Sequence, residues 1–496
     1  MPPLHPLIAI AREGDPFTAT DGRAFVRLQG PSFQSSFVLP VRSVAFRNWF
    51  FHEYYSRHEA VPDTRAFHAL LNHLEAEANH SNQGFPVFRR VAGVGLPTEK
   101  ILLDLGNPQF QVVEIAAAGW KVNSGVDVLF ERSCSAIPIP VPIQPTSPDA
   151  QSWHPLNVLR SVLNLPSRAD WLRCLAWLMA ALRPFGPFPA LILQGPPGSG
   201  KTFAARILRS IFDPNPSSLT AIPSSVRELL PLVRHNWILA FDHLSSLTPQ
   251  LTDALCRLSS GLGATLRESP GQGIEPFQQS YKRPILFTVT ERWSCPPALA
   301  ERALVLDLPA LSPASFRTED HLMKVFTGAW PSILGALCTA VSTALARIPQ
   351  QALPVSRCAN SLAWALAAAS ALGSTEDEMR QAFVSTSEPH PMVNAVRNLL
   401  EQRRNWTGTA TELLELLRPL ITSQTPKGVA QQLKRCMLTL ADSGIELKFR
   451  HLHGNTRLIE LREESGGASW ETPASDAPPA DAPSSQPSET EKVINS

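Results

Sequence analysis

A chain of 496 residues is too long for one ordinary core and predicts roughly three domains, at about 150 residues apiece. Hydrophobic residues make up 44% of it, enough to bury a core, and 44 Lys and Arg against 43 Asp and Glu leave a net charge of +1, which excludes a global pull toward nucleic acid or membrane. Seven Cys, at 134, 174, 256, 295, 338, 358 and 436, an odd number with no CxxC pair and no metal-ligand spacing, read as buried small apolar residues of a reducing compartment. The first 25 residues lack an apolar h-region, and no run nears the roughly 18 unbroken apolar residues of a membrane span. A cytoplasmic protein with no membrane partner is expected.

In chain order, residues 1–136 predict an N-terminal α/β domain. Helical spacing runs from Ser43 to Ala78 and strand-like runs, ILLDL and FQVVEI, lie between Lys100 and Val122. The histidines at 52, 58, 68, 73 and 80 make no metal motif and read as a solvated helical face. Residues 137–150 open with IPIPVPIQPTSP, where alternate Pro removes backbone donors and favours extended structure; a linker is expected there. Residues 151–185 predict a helical lead-in, 186–311 an α/β core, 312–400 a helical lid rich in Ala and Leu, 401–463 a winged-helix-like domain, and 464–496 a disordered tail rich in Ser, Pro and Ala.

The chemistry is concentrated at Gly195 to Thr202, GPPGSGKT, a complete phosphate-binding loop. Gly195, Gly198 and Gly200 allow successive N–H groups to turn toward phosphate oxygens at a helix N-terminus, where the dipole already favours negative charge. Pro196, Pro197 and Ser199 complete the loop, Lys201 is placed to reach the β and γ phosphates of ATP, and Thr202 to ligate Mg²⁺. A strand expected over Ala190 to Gln194 precedes the loop, and Phe203 to Phe212 continues as a helix with Ala204, Ile207, Leu208 and Ile211 on one face.

A second expected strand, Trp237 to Phe241, ends in Asp242, the arrangement in which a carboxylate holds magnesium through water. His243 follows it, where many such ATPases carry an acid that activates the attacking water, so a base must come from elsewhere, with Glu228, Glu268 and Glu291 as candidates, or hydrolysis is slow. Thr288, in the run PILFT, stands either as a polar sensor of the γ-phosphate or as an ordinary strand threonine. Arg302, before the run Ala303 to Leu308, reads as an arginine finger toward a neighbouring subunit or as a partner in an intrachain ion pair. Residues 264–282, with PGQG at Pro270 to Gly273 and with Arg267 and Lys282, predict a β-hairpin that either contacts DNA or is a plain surface hairpin.

GPPGSGKT, NWILAFDHLSSL with DALCRLSSG behind it, RPILF, ERALVL and WTGTATELLELL together resemble a family of bacterial and phage-associated P-loop ATP-binding proteins, similar to the ATPase half of phage and plasmid primase-helicases, over about residues 40 to 463. The resemblance implies a superfamily 3-like, AAA+-type P-loop NTPase core with a parallel sheet, homo-oligomers with a ring possible, and a hairpin before the sensor strand that grips DNA. That family carries Asn after the Walker B Asp and Asn at the sensor, where this chain has His243 and Thr288; nucleotide binding is expected to survive both changes, and the hydrolysis rate is left open.

Near the C-terminus, helices at Thr409 to Leu417 and Pro426 to Ala441 and a two-stranded wing around His453, Gly454 and Asn455 predict a winged helix. Lys427, Lys434, Arg435, Lys448, Arg450 and Arg457 outnumber Asp442 and Glu446 there, a local positive surface suited to DNA phosphates or else to a protein partner. The expected function is an ATP-hydrolysing, helicase- or translocase-like motor of phage or mobile-element DNA replication. The alternative is an ATP-dependent switch or loader that recruits DNA or a partner without unwinding.

Overall fold

The computed structural model describes residues 5–30, 36–80, 84–95, 98–132, 137–144, 154–266, 277–290, 293, 295–311, 316–348, 358–384, 391–418, 425–435, 440, 444–451 and 457–463. The chain forms two compact units, Met1–Ser387 and Glu388–Ser496.

The centre of the first unit is a four-stranded, wholly parallel sheet in the order Leu239–Leu244, Ile285–Val289, Ala190–Gln194, Ala303–Asp307. Its strands are near-continuous apolar runs because both faces are covered. Leu191, Leu193, Leu286, Leu304 and Leu306 pack on one face with the helices Arg168–Ala181, Lys201–Ser210 and Glu319–Arg347. Ala190, Ile192, Phe241, Ile285 and Phe287 pack on the other with Val226–His235 and Pro249–Ser260. From Ala190–Gln194 the chain crosses to the Leu239–Leu244 edge, and later returns to the far side as Ala303–Asp307. The end of Ala190–Gln194 is therefore the point where strand order reverses, and crevices for ligands open there in such sheets.

The N-terminal region carries a sheet Ser36–Pro40, Ala24–Gln29, Asp15–Ala19, Gly84–Phe85 packed with the helices Val44–His58 and Thr64–His80, and an antiparallel sheet Val91–Val94, Lys100–Asp104, Gln111–Ala116, Gly119–Ser124. All five histidines of the two helices are exposed. This region is continuous with the parallel sheet. Arg89 pairs with Glu131 at 3.0 Å and donates to the His235 carbonyl, and Asp213 accepts from Trp237 N and Ile238 N at 2.8 and 3.0 Å, just before the edge strand. Burial among these groups pushes the Arg283 guanidinium down to about 10.

Two expectations about organisation change. Residues 137–144 of the expected linker are an inlaid strap, while 145–150 lie outside the described residues. Ile137, Ile139 and Ile143, three of the donors left between the prolines, bond to the carbonyls of Pro214, Leu105 and Pro331, and Ile139 is buried. A Cβ on Gly335 would come within 1.9 Å of the Ile143 carbonyl, so glycine is what lets the strap lie on the long helix. The expected lid is likewise part of the main core. Phe326, Ile333, Leu337 and Val341 of Glu319–Arg347 share one cluster with Trp171, Trp177 and Leu191. Trp120 Nε1 donates to Thr339 Oγ1 at 3.0 Å, tying the antiparallel sheet to the same helix. Among the described residues this 29-residue helix is the one long and apolar enough to cross a membrane by composition, and 61% of its apolar window is buried inside the unit.

In the second unit, Pro391–Arg403, Ala410–Leu417 and Pro426–Arg435 pack on a three-stranded antiparallel sheet ordered Asn405–Thr409, Arg457–Glu463, Ile445–His451. The expected boundary after residue 400 shifts, because Met392, Val393, Val396 and Leu400 belong to this core with Trp406, Leu413 and Ile459. Where two strands were expected, the sheet has a third, Asn405–Thr409, that precedes the helix Ala410–Leu417 and its Thr409–Glu412 capping box.

Candidate functional site

The glycine loop leaves the C-terminal end of the central strand Ala190–Gln194 and enters the helix Lys201–Ser210. Gly195, Gly198 and Gly200 have φ of 144°, 74° and 84°, a region side chains with a Cβ rarely adopt. A Cβ on Gly195 would lie 2.1 Å from the Leu308 carbonyl, whereas one on Gly198 would meet nothing within 4 Å. The loop is thus tight against the protein at its start and open at its crest. The helix begins at Gly200 with no side-chain cap, unlike Ser43, Ser167, Ser225, Thr248 and Thr318, which cap theirs. Its first-turn donors face the open crest, where an anion can take the place of a cap. Lys201 Nζ lies over the loop, donating to the carbonyls of Gly195 and Pro196 at 2.7 and 2.8 Å, and Ser199 is fully buried.

Three predicted residues converge beside the loop. Thr202 Oγ1 donates to Asp242 Oδ1 at 3.1 Å, and the Thr288 hydroxyl donates to the same oxygen while accepting from His243 N at 2.8 Å. Asp242 lies inside its strand, where sequence reading had the strand ending at Phe241. The strand continues through a register shift between Phe241 and Leu244, with His243 in the left-handed region at φ 61°. Thr288 is buried, and its hydroxyl is committed to Asp242 and to the bulged backbone.

The remaining predicted residues stand elsewhere. Arg302 precedes Ala303, which pairs with Ala190, so it sits at the opposite end of the strands from the loop, half-buried, with its guanidinium donating to the Ala298 carbonyl at 2.6 Å. The hairpin strands are Leu262–Leu266 and Phe277–Tyr281, and Lys282 at their base lies near Gly186, at that same far end. Its turn at 270–273, Arg267, Glu268 and Glu291 lie outside the described residues. Glu228 caps its own helix: Ser224 N and Oγ donate to its carboxylate, which holds it below the usual carboxylate range and leaves it a poor base.

Sequence reading missed Asn164, whose Nδ2 donates to the Ser199 carbonyl at 3.0 Å and to the Pro309 carbonyl at 2.6 Å. It also missed Gln194, which donates to Asp307 at 2.7 Å across the strand ends. Their partners lie 35 to 145 positions away in the chain, and nothing local marks them. In the second unit, Arg450 pairs with Glu460 at 3.0 Å and Lys448 pairs with Glu446, so two of the six basic residues counted there are balanced by acids. Lys427 is exposed; the side chains of Lys434, Arg435 and Arg457, and the turn at 453–455, lie outside what is described.

The fold and site define a mixed α/β protein with a glycine loop at the switch point of a parallel sheet. Residues 156–381 match the family model of the actinomycete integrative conjugative element replication protein (RepA), and residues 392–478 match the model of the RepA C-terminal domain of such elements. The two matches name one family and together take in more than half of the chain: this is a replication-associated protein of a mobile element. No curated protein matches it. Among solved structures it is similar to an A-form apo structure of the NrS-1 C terminal region, with 10% identity and a TM-score of 0.39 over 92% of this chain and 98% of that one. A second apo structure of that region aligns at 10% identity and a TM-score of 0.38, over 93% and 99%. Likeness at that level is too slight to bear on activity.

Proposed function

We propose that the protein binds and hydrolyses ATP at the glycine loop and uses it as a helicase- or translocase-like motor in the replication of its element. The observation that carries this reading is the meeting of Thr202 and Asp242, 40 positions apart, 3.1 Å from each other beside an uncapped helix N-terminus. An open glycine crest, a lysine on the loop and a hydroxyl–carboxylate pair fit a nucleoside triphosphate with a divalent cation. In this reading Lys201 reaches the β and γ phosphates, Thr202 and Asp242 hold Mg²⁺, and the backbone from Gly195 to Gly200 cradles phosphate oxygens. Mg²⁺, when bound, would neutralise charge on those oxygens. Thr288 holds Asp242 in place. In this reading Arg302, a strand's length from its own loop, would serve the nucleotide of another copy in a homo-oligomer, with a ring as one form. DNA would be met by the second unit, whose order of helix, strand, two helices and two strands is compatible with a winged helix, and by the hairpin at 262–281.

One observation favours a switch or loader instead. No acid stands at position 243, and the carboxylate of Glu228 is consumed in a helix cap. ATP turnover with and without single-stranded DNA separates the readings, with Lys201→Ala as the control. Strong stimulation supports the motor, flat slow turnover supports the switch, and no lysine-dependent turnover or binding overturns the nucleotide site.

A further inference from the structure

The glycine loop is held at two places by one neighbouring segment, the stretch that follows the strand Ala303–Asp307. Leu308 N donates to the Gln194 carbonyl at 2.9 Å, and its own carbonyl leaves no room for a side chain at Gly195. Four residues on, Asn164 makes the second clamp, its amide spanning the carbonyls of Ser199 and Pro309 at 3.0 and 2.6 Å. Both partners are carbonyl oxygens, so the amide nitrogen must face them, and the orientation of the Asn164 side chain is fixed.

The consequence lies in the peptide that joins Ser199 to Gly200. In a trans peptide the C=O and the following N–H point in opposite directions. With the Ser199 carbonyl held toward Asn164, Gly200 N–H therefore points away from Asn164. That N–H has no hydrogen-bond partner among the described residues. We infer that Asn164 is a positioning residue for anion binding: by holding the Ser199 carbonyl it directs Gly200 N–H at a phosphate oxygen. This rests on the reading of the loop as a nucleotide site. It adds a residue from the segment before the helix Arg168–Ala181, which the loop motif does not contain.

The test is titration of the full-length chain with MgADP, alongside melting curves with and without it. Asn164→Ala should weaken MgADP binding by roughly tenfold, about the worth of one to two neutral hydrogen bonds. The ligand-free melting temperature should barely move, while the shift produced by MgADP shrinks. Asn164→Asp has the same shape but cannot donate when ionised. It should bind at least as weakly as Asn164→Ala near neutral pH and recover only part of the lost affinity as the pH falls toward the ordinary aspartate range of about 4, where the protonated acid regains one of the two donors; wild type at each pH is the reference. A purely structural Asn164 would lower the ligand-free melting temperature and show no such recovery. Wild-type affinity in both variants, with Lys201→Ala binding nothing, overturns the inference and leaves the site standing. Failure of wild type itself to bind overturns both.

Discussion

The glycine loop and the outer face of the C-terminal sheet both concentrate charged and polar residues, and folding treats them in opposite ways. At the loop, groups from separate strands and a helix are brought onto one oxygen: Thr202 and Thr288 both donate to Asp242 Oδ1. On the C-terminal sheet, basic residues that add up along the chain are set against acids across the strands. Glu446 faces Arg462, Lys448 faces Glu460, and Arg450 closes on Glu460 at 3.0 Å. Side chains from distant segments are brought to one point by folding, whereas a charge excess counted along the chain is redistributed by strand register.

The sharpest way to break the comparison is at the loop. Lys201→Ala should lower ATP affinity by roughly 100-fold or more, because charge-assisted contacts to two phosphates are lost together. Calorimetric titration giving wild-type affinity would reduce the loop to a glycine-rich turn. Next, Asp242→Asn should leave ATP binding nearly unchanged and cut turnover on the order of 100-fold. Thr288→Val, which removes the hydroxyl from both Asp242 and His243 N, should cost about tenfold in turnover. Thr288→Ser should restore it, and a silent valine variant would mean that the shared oxygen contact has no role.

Arg302→Ala should spare ATP binding and lower turnover severalfold, only under conditions where the chain assembles. Mixing it with Lys201→Ala should recover activity at intermediate ratios, because each copy then supplies what the other lacks. Recovery at no ratio, with assembly retained, removes the shared site.

The smallest effect belongs to the second unit. With Lys448 and Arg450 already paired, two to three duplex contacts should give a log–log salt slope of about −2 to −3, each contact contributing about −0.9. A fragment covering residues 388–496 is suitable for the measurement, since the helix Pro391–Arg403 belongs to its core. Glu460→Gln frees Arg450 and should steepen the slope by about one contact. Anisotropy that shows folded fragment and no salt-sensitive binding would assign the unit to protein contacts.

By itself the sequence determined what is local. The loop, its flanking strand and helix, and the apolar runs of the parallel sheet are contiguous, and their spacing states their structure. The tertiary structure decided whatever depends on residues distant in the chain. It merged the expected lid into the core, inlaid the proline strap, moved the unit boundary to 387 and cancelled charges across strands. It placed Arg302 at the far end of the sheet and brought Asn164 to the loop. The physical reason is that hydrogen-bond direction within a strand or turn follows from neighbouring residues, while packing and ion pairing are fixed only when distant segments meet.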